Sequence, residues 1–122
     1  MRKITNKQQY INKEDIQLVT KTLKSNFLTQ GPLVDIFENK LNNYFGGKYC
    51  NVVSNGTNAL YLSGLALGWK KNDIVITSPI TFLSTVNCIE HHKAKPDFVD
   101  IDPCTYTIDV NKLEDKIKKY KK

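Results

Sequence analysis

Cysteine, histidine and long apolar runs are all scarce in this chain, and each scarcity removes a class of function. The three cysteines, Cys50, Cys88 and Cys104, are odd in number and widely spaced, with no C-x-x-C pair. Neither a disulfide framework nor a thiolate zinc site is therefore encoded, and the usage fits a reducing compartment. Cys50 and Cys88 lie in apolar stretches and read as small core residues, whereas Cys104 sits in a polar turn. The only histidines, His91 and His92, are adjacent, so on a helix they point in different directions. Without a second ligand pair they read as surface residues near a helix end, and no metal site is expected. The opening residues Met1-Arg2-Lys3-Ile4-Thr5-Asn6-Lys7 lack the apolar core of a signal peptide, and no run approaches a membrane span. A cytoplasmic location with no membrane partner is the expectation. Neither G-x-G-x-x-G nor a P-loop ending G-K-[ST] occurs, which disfavours a generic nucleotide-binding domain.

The charge is less informative than it first looks. A formal net charge of +6 suggests nucleic acid, but five of the 18 basic side chains fall within Lys116–Lys122, a stretch without an acid. The remaining body is close to neutral, so a solvated lysine tail is the simpler account and no nucleic-acid partner is expected. With 122 residues, 40% hydrophobic and 25% charged, the chain has ordinary globular composition and enough length for a real core.

The apolar spacing predicts alternating helices and strands. A helix is expected over residues 13–24, capped by Asn12, with Ile16, Val19 and Leu23 on one face. Residues 25–32 interrupt it with two large apolar side chains and a Gly-Pro stop, as expected of a loop that either packs as a plug or lines a site. Pro32 opens a second helix carrying Val34, Phe37, Leu41, Tyr44 and Phe45, which Gly46-Gly47 ends. A strand is expected at 49–53, then a helix at 58–67 that is apolar nearly all round and should be buried inside a larger assembly. Further strands are expected at Asp73–Thr77 and Asp97–Ile101, separated by a helix from a Thr81 cap to about Glu90. A last helix, capped by Asp109, should bury Val110, Leu113, Ile117 and Tyr120. This α/β alternation implies parallel strands with ligand sites at their carboxyl ends.

One stretch bears chemistry in that layout. Ser54-Asn55-Gly56-Thr57 joins a strand to a helix, and such a turn offers an anion the free N–H groups and positive dipole end of the helix. Thr57 can add a hydroxyl. On these four residues alone, a plain turn with Thr57 as the helix cap is the simpler account. Ser78–Phe82 also follows a strand and begins a helix, so both turns are expected on one functional rim, with Phe82 as an aromatic ring at its edge.

Five stretches in this order carry a resemblance: Leu28-Thr29-Gln30-Gly31-Pro32, Phe37-Glu38, Ser54–Leu60, Asp73–Phe82 and Pro96–Asp102. Together they resemble the DegT/DnrJ/EryC1/StrS family of sugar-nucleotide aminotransferases, fold type I enzymes that use pyridoxal phosphate. The resemblance implies that the chain is the N-terminal part of the aminotransferase large domain, with a helical segment 1–47 leading into an α/β segment 48–122. It further implies that Gly56 and Thr57 bind the cofactor phosphate and that Phe82 stacks on the pyridine ring. By the same pattern Asn26, Phe27, Leu28 and Thr29 meet the sugar nucleotide at the interface of a homodimer. The loop and the run Ile80–Asn87 look most like enzymes that aminate C4 of UDP-linked 4-keto-6-deoxy-N-acetyl hexosamines in pseudaminic acid synthesis. Asp100 and Asp102 end a strand before a turn and read as structural.

The departures are as informative. In the family, the lysine that joins the cofactor and the aspartate that pairs with its pyridine nitrogen lie beyond the region matched here, so no catalytic residue is implied within this chain. Asn6 also stands where the family often has an aromatic residue. Two functions follow as expectations. One is part of a transaminase that moves an amino group from glutamate to a 4-keto sugar nucleotide and is inactive alone. The other is a non-catalytic truncated paralogue or a split-gene half that binds a partner chain. On the first, pyridoxal phosphate followed by borohydride should leave no specific adduct on these residues.

Overall fold

Residues 9–120 are described by the computed structural model, and their elements begin and end where local chemistry directs. Helix α1 spans Lys13–Leu23 behind an Asn12 cap. The cap is reciprocal: Asn12 Oδ1 accepts from the Asp15 N–H at 2.9 Å, and Asp15 Oδ2 accepts from the Asn12 N–H at 2.9 Å. Helix α2 spans Pro32–Phe45, with Pro32 in its first turn, and stops at Gly46, whose φ of 65° is left-handed. Helix α3 covers Gly56–Ala66, strand β1 Ile74–Thr77, helix α4 Leu83–His91, strand β2 Lys95–Phe98 and helix α5 Val110–Tyr120. The chain divides into two compact units, Met1–Val52 and Val53–Lys122. Asn6, noted above for its departure from the family pattern, lies outside the described residues, as do Lys121 and Lys122 of the basic tail.

In the second unit β1 and β2 form a parallel two-stranded sheet, with Ile74 opposite Lys95 and Thr77 opposite Phe98. Helix α4 is the crossover between them and packs on both strands and on α3. The buried core is small and centres on this helix: Cys88, Ile89 and Ala94 are nearly inaccessible, with Trp69 and Val75 against them. The topology aligns the helices. Helix α3 leads through residues 67–73 into the start of β1, and α4 leads into the start of β2. Their C-terminal ends adjoin, because the Trp69 and His92 rings stand 6.1 Å apart. The N-termini of α3 and α4 therefore both face the edge where β1 ends.

Several expectations need correction. No ladder pairs residues 49–53 among the described residues. A strand exists only through a neighbour, and here the Val52 N–H donates instead to Glu38 Oε1 at 2.8 Å. The second paired strand starts at Lys95, two residues before the expected Asp97, and Ile101 belongs to an isolated bridge with Ile108. Pro96 inside β2 is tolerated because, among the described residues, the strand has only one neighbour. Within this chain helix α3 buries only Gly64, while Leu60, Leu62 and Leu65 are substantially exposed, so the described residues do not supply the cover expected for it from a larger assembly. Nor does α5 bury its apolar face, since Val110 and Tyr120 stay exposed. Lys116 is not a free member of a solvated tail, because it bonds Asp97 Oδ1 at 2.8 Å.

Candidate functional site

At the head of α3 the cap is Asn55, not Thr57. Asn55 Oδ1 accepts from the Asn58 N–H at 2.9 Å, and Ser54 Oγ accepts from the side-chain amides of Asn55 and Asn58 at 3.2 and 2.8 Å. Cap duty thus rests on Asn55 and leaves Thr57 Oγ1 uncommitted. The Gly56 and Thr57 amides, as the first two of the helix, find no acceptor among the described residues. A Cβ built on Gly56 would meet nothing within 4 Å. Donors, dipole and empty space therefore coincide at this point.

Phe82 stands at the head of α4, on the same sheet edge. It occupies the cap position without a side-chain hydrogen bond, and its side chain is 77% exposed. The expected Thr81 cap is absent; Thr81 Oγ1 instead lies 3.0 Å from Thr85 Oγ1. The structure thus brings Gly56, Thr57 and Phe82 to one edge of the second unit.

In the first unit the loop 25–31 curls back on itself. A Cβ at Gly31 would fall 2.7 Å from Phe27 Cβ, so only glycine permits this approach. Gln30 holds a left-handed φ of 47°, a conformation uncommon for non-glycine residues. Phe27 and Leu28 line an apolar cavity of about 280 Å³ with Leu18, Pro32 and Val34. Asn26 and Thr29 do not line it and are exposed. The loop is therefore a cavity wall rather than a plug.

Three carboxylates outside these places, Asp97, Asp100 and Asp102, make structural contacts. Asp102 Oδ1 accepts from the N–H groups of Cys104 and Thr105 at 2.7 and 3.2 Å, closing a turn. Asp100 Oδ1 accepts from the Ile101 N–H at 2.8 Å. Asp97, unremarked in the sequence, holds α5 to β2. Its carboxyl lies well below the ordinary carboxylate range, first through the Lys116 ammonium, then the Tyr120 hydroxyl and the Phe98 N–H. The same contact raises the Tyr120 phenol. His92 is also more than a surface residue: it is half-buried against Tyr61, with Nε2 at 2.8 Å from the Tyr61 carbonyl. No cluster of metal-ligating side chains occurs among the described residues. None of the helices there is long and apolar enough to cross a membrane.

The family profile described as DegT/DnrJ/EryC1/StrS aminotransferase matches residues 9–122. The chain belongs to that family. Among curated relatives, spore coat polysaccharide biosynthesis protein SpsC of Bacillus subtilis is 48% identical over 85% of this chain and 27% of its own length. UDP-4-amino-4,6-dideoxy-N-acetyl-beta-L-altrosamine transaminase of Campylobacter jejuni is 42% identical over 95% of this chain and 30% of its own length. Among solved structures, Spr1654 of Streptococcus pneumoniae, assigned as a sugar aminotransferase and solved in its PLP form, superposes with a TM-score of 0.79. It is 30% identical over 87% of this chain and 27% of its own. The expected fold holds: the chain has the fold of part of a fold type I aminotransferase. The chain spans less than a third of the length of the curated relatives it matches.

Proposed function

We propose that this chain contributes the phosphate-holding and ring-facing part of a pyridoxal-phosphate aminotransferase acting on a sugar nucleotide. One observation carries the reading: the Gly56 and Thr57 amides find no acceptor among the described residues, and Gly56 opens onto empty space on the sheet edge that also bears exposed Phe82. In this reading the two amides and the Thr57 hydroxyl hold the phosphate dianion, where the helix dipole adds to the hydrogen bonds. The Phe82 face holds the pyridine plane at small entropic cost. The cofactor, when bound, supplies the electron sink, and these residues supply its orientation. Asn26, Phe27, Leu28 and Thr29 meet the sugar nucleotide. The amino acceptor is a 4-keto sugar nucleotide of the pseudaminic acid type, glutamate is the donor, and the enzyme is a cytoplasmic homodimer. The Campylobacter jejuni transaminase and SpsC, both over 40% identical, support the sugar and polysaccharide side of this assignment.

Pyridoxamine 5′-phosphate tests the cofactor site, because it lacks an aldehyde and reports only non-covalent contacts. It is titrated into the protein at full natural length and into its Thr57→Ala and Phe82→Ala variants. Losing a hydroxyl bond to a charged group should weaken binding about tenfold or more, and losing the ring contact about two- to tenfold. Binding equal to the parent in both variants overturns the reading.

A further inference from the structure

We propose that His92 is a positioning residue for this site, clamping α3 to α4 so that the Gly56–Thr57 amides and the Phe82 ring keep one separation. The inference rests on the cofactor reading above. His92 caps α4 at its C-terminal end, and its Nε2 lies 2.8 Å from the Tyr61 carbonyl of α3. A carbonyl only accepts, so Nε2 carries the proton in this contact. The imidazole also stacks on the Tyr61 ring, with centroids 4.7 Å apart and planes 17° from parallel. The Trp69 ring closes the cluster edge-on at 6.1 Å. Gly64 makes room, since a Cβ there would stand 2.6 Å from Trp69 Cε3 and 2.7 Å from His92 Cδ2.

Geometry links this knot to the site. Tyr61 lies four residues, one helical turn, after Thr57. His92 lies ten residues after Phe82, about 15 Å along a helix. Apolar packing between helices resists separation but only weakly resists sliding, whereas one directed hydrogen bond and a stacked ring select a register. Because a helix is stiff over this length, the register chosen at the C-terminal ends is carried to the N-terminal ends. His91 makes no such hydrogen bond and meets Tyr61 only edge-on at 6.1 Å.

The test uses two ligands and the protein at full natural length. Pyridoxamine 5′-phosphate spans both helix heads, whereas inorganic phosphate engages the α3 head alone. His92→Ala should weaken pyridoxamine 5′-phosphate about two- to tenfold, the effect of one hydrogen bond. Inorganic phosphate affinity, followed by phosphorus NMR, should stay unchanged. His92→Gln, which keeps an N–H donor, should recover most of the loss. If His92→Ala does not fold, His92→Met keeps the apolar volume without the donor and takes its place. Unchanged pyridoxamine 5′-phosphate binding overturns the clamp, and so does an equal loss for both ligands, which indicates general loosening. If Thr57→Ala and Phe82→Ala weaken binding while the His92 variants do not, the clamp alone fails. If none of them matters, the cofactor reading fails.

Discussion

Replacing Gly64 by alanine should destabilise the protein although alanine is the better helix former. In an open helix interior the exchange gains about 1 kcal/mol. Here the new methyl would lie 2.6–2.8 Å from Trp69 Cε3 and from His92 Cδ2 and Nε2, whereas carbon atoms rest about 3.5–4.0 Å apart. Both rings must therefore retreat by about 1 Å. Overpacking of that kind costs about 1–3 kcal/mol, and moving His92 off the Tyr61 carbonyl forfeits a further 0.5–1.5 kcal/mol or about that. The contact terms overlap, but together they exceed the propensity gain, so a net loss of about 1–3 kcal/mol is expected. Urea unfolding measures it as a lower midpoint at unchanged slope. A midpoint equal to or above the parent's refutes the reasoning, because the rings would then yield without cost. Repeating the substitution in a His92→Ala background should shrink the penalty, since the two sites share one contact.

The other expectations concern pH, capping and the site glycine. Asp97 is held ionised by Lys116, Tyr120 and the Phe98 N–H, so it stabilises the fold above the unfolded carboxylate pKa of about 4 and ceases to as pH falls below it; Asp97→Asn should lower neutral-pH stability and flatten that acid limb in melts from pH 2 to 7. The Tyr120 phenol is raised by the same contact, so stability should fall as pH rises past the ordinary tyrosine value of about 10, and Tyr120→Phe should remove that loss. Asn55→Ala removes the α3 cap and should cost about 1 kcal/mol in the same unfolding assay, with no change if Thr57 takes over as cap. Gly56→Ala should leave stability within about 0.5 kcal/mol, because the methyl meets nothing, yet weaken pyridoxamine 5′-phosphate; unchanged binding would show that the space is not ligand space.

What the sequence discloses and what it hides divide along the range of the interactions. Asn12, Pro32, Gly46 and Asp109 mark helix ends through bonds within four residues, and all four stand where expected. The strand expected at 49–53 fails because pairing depends on a distant neighbour, which β-branched composition cannot supply. Helix α3 shows a similar gap. Its apolar residues register a tendency to be covered, but the described residues give a close partner only to the stripe around Gly64. His92 was illegible for the same reason, being 31 residues from Tyr61. Asp97 meets Lys116 across 19 residues and Tyr120 across 23, so nothing nearby in sequence flags either contact.

The glycines sharpen the argument for the site. Gly31 and Gly64 are explained from within, because a Cβ at either would stand under 3 Å from a neighbouring side chain. Gly56 has no such explanation. Its backbone does not adopt the left-handed conformation, and its Cβ would face open space, so the tight-turn role that its sequence setting suggests is not what keeps a side chain away. The amides of Gly56 and Thr57 lack acceptors among the described residues at the same place. A side chain absent without internal cause and donors left without internal partners are two independent gaps. Under the proposed function one ligand, a phosphate drawn close to the backbone at the positive end of α3, would fill both.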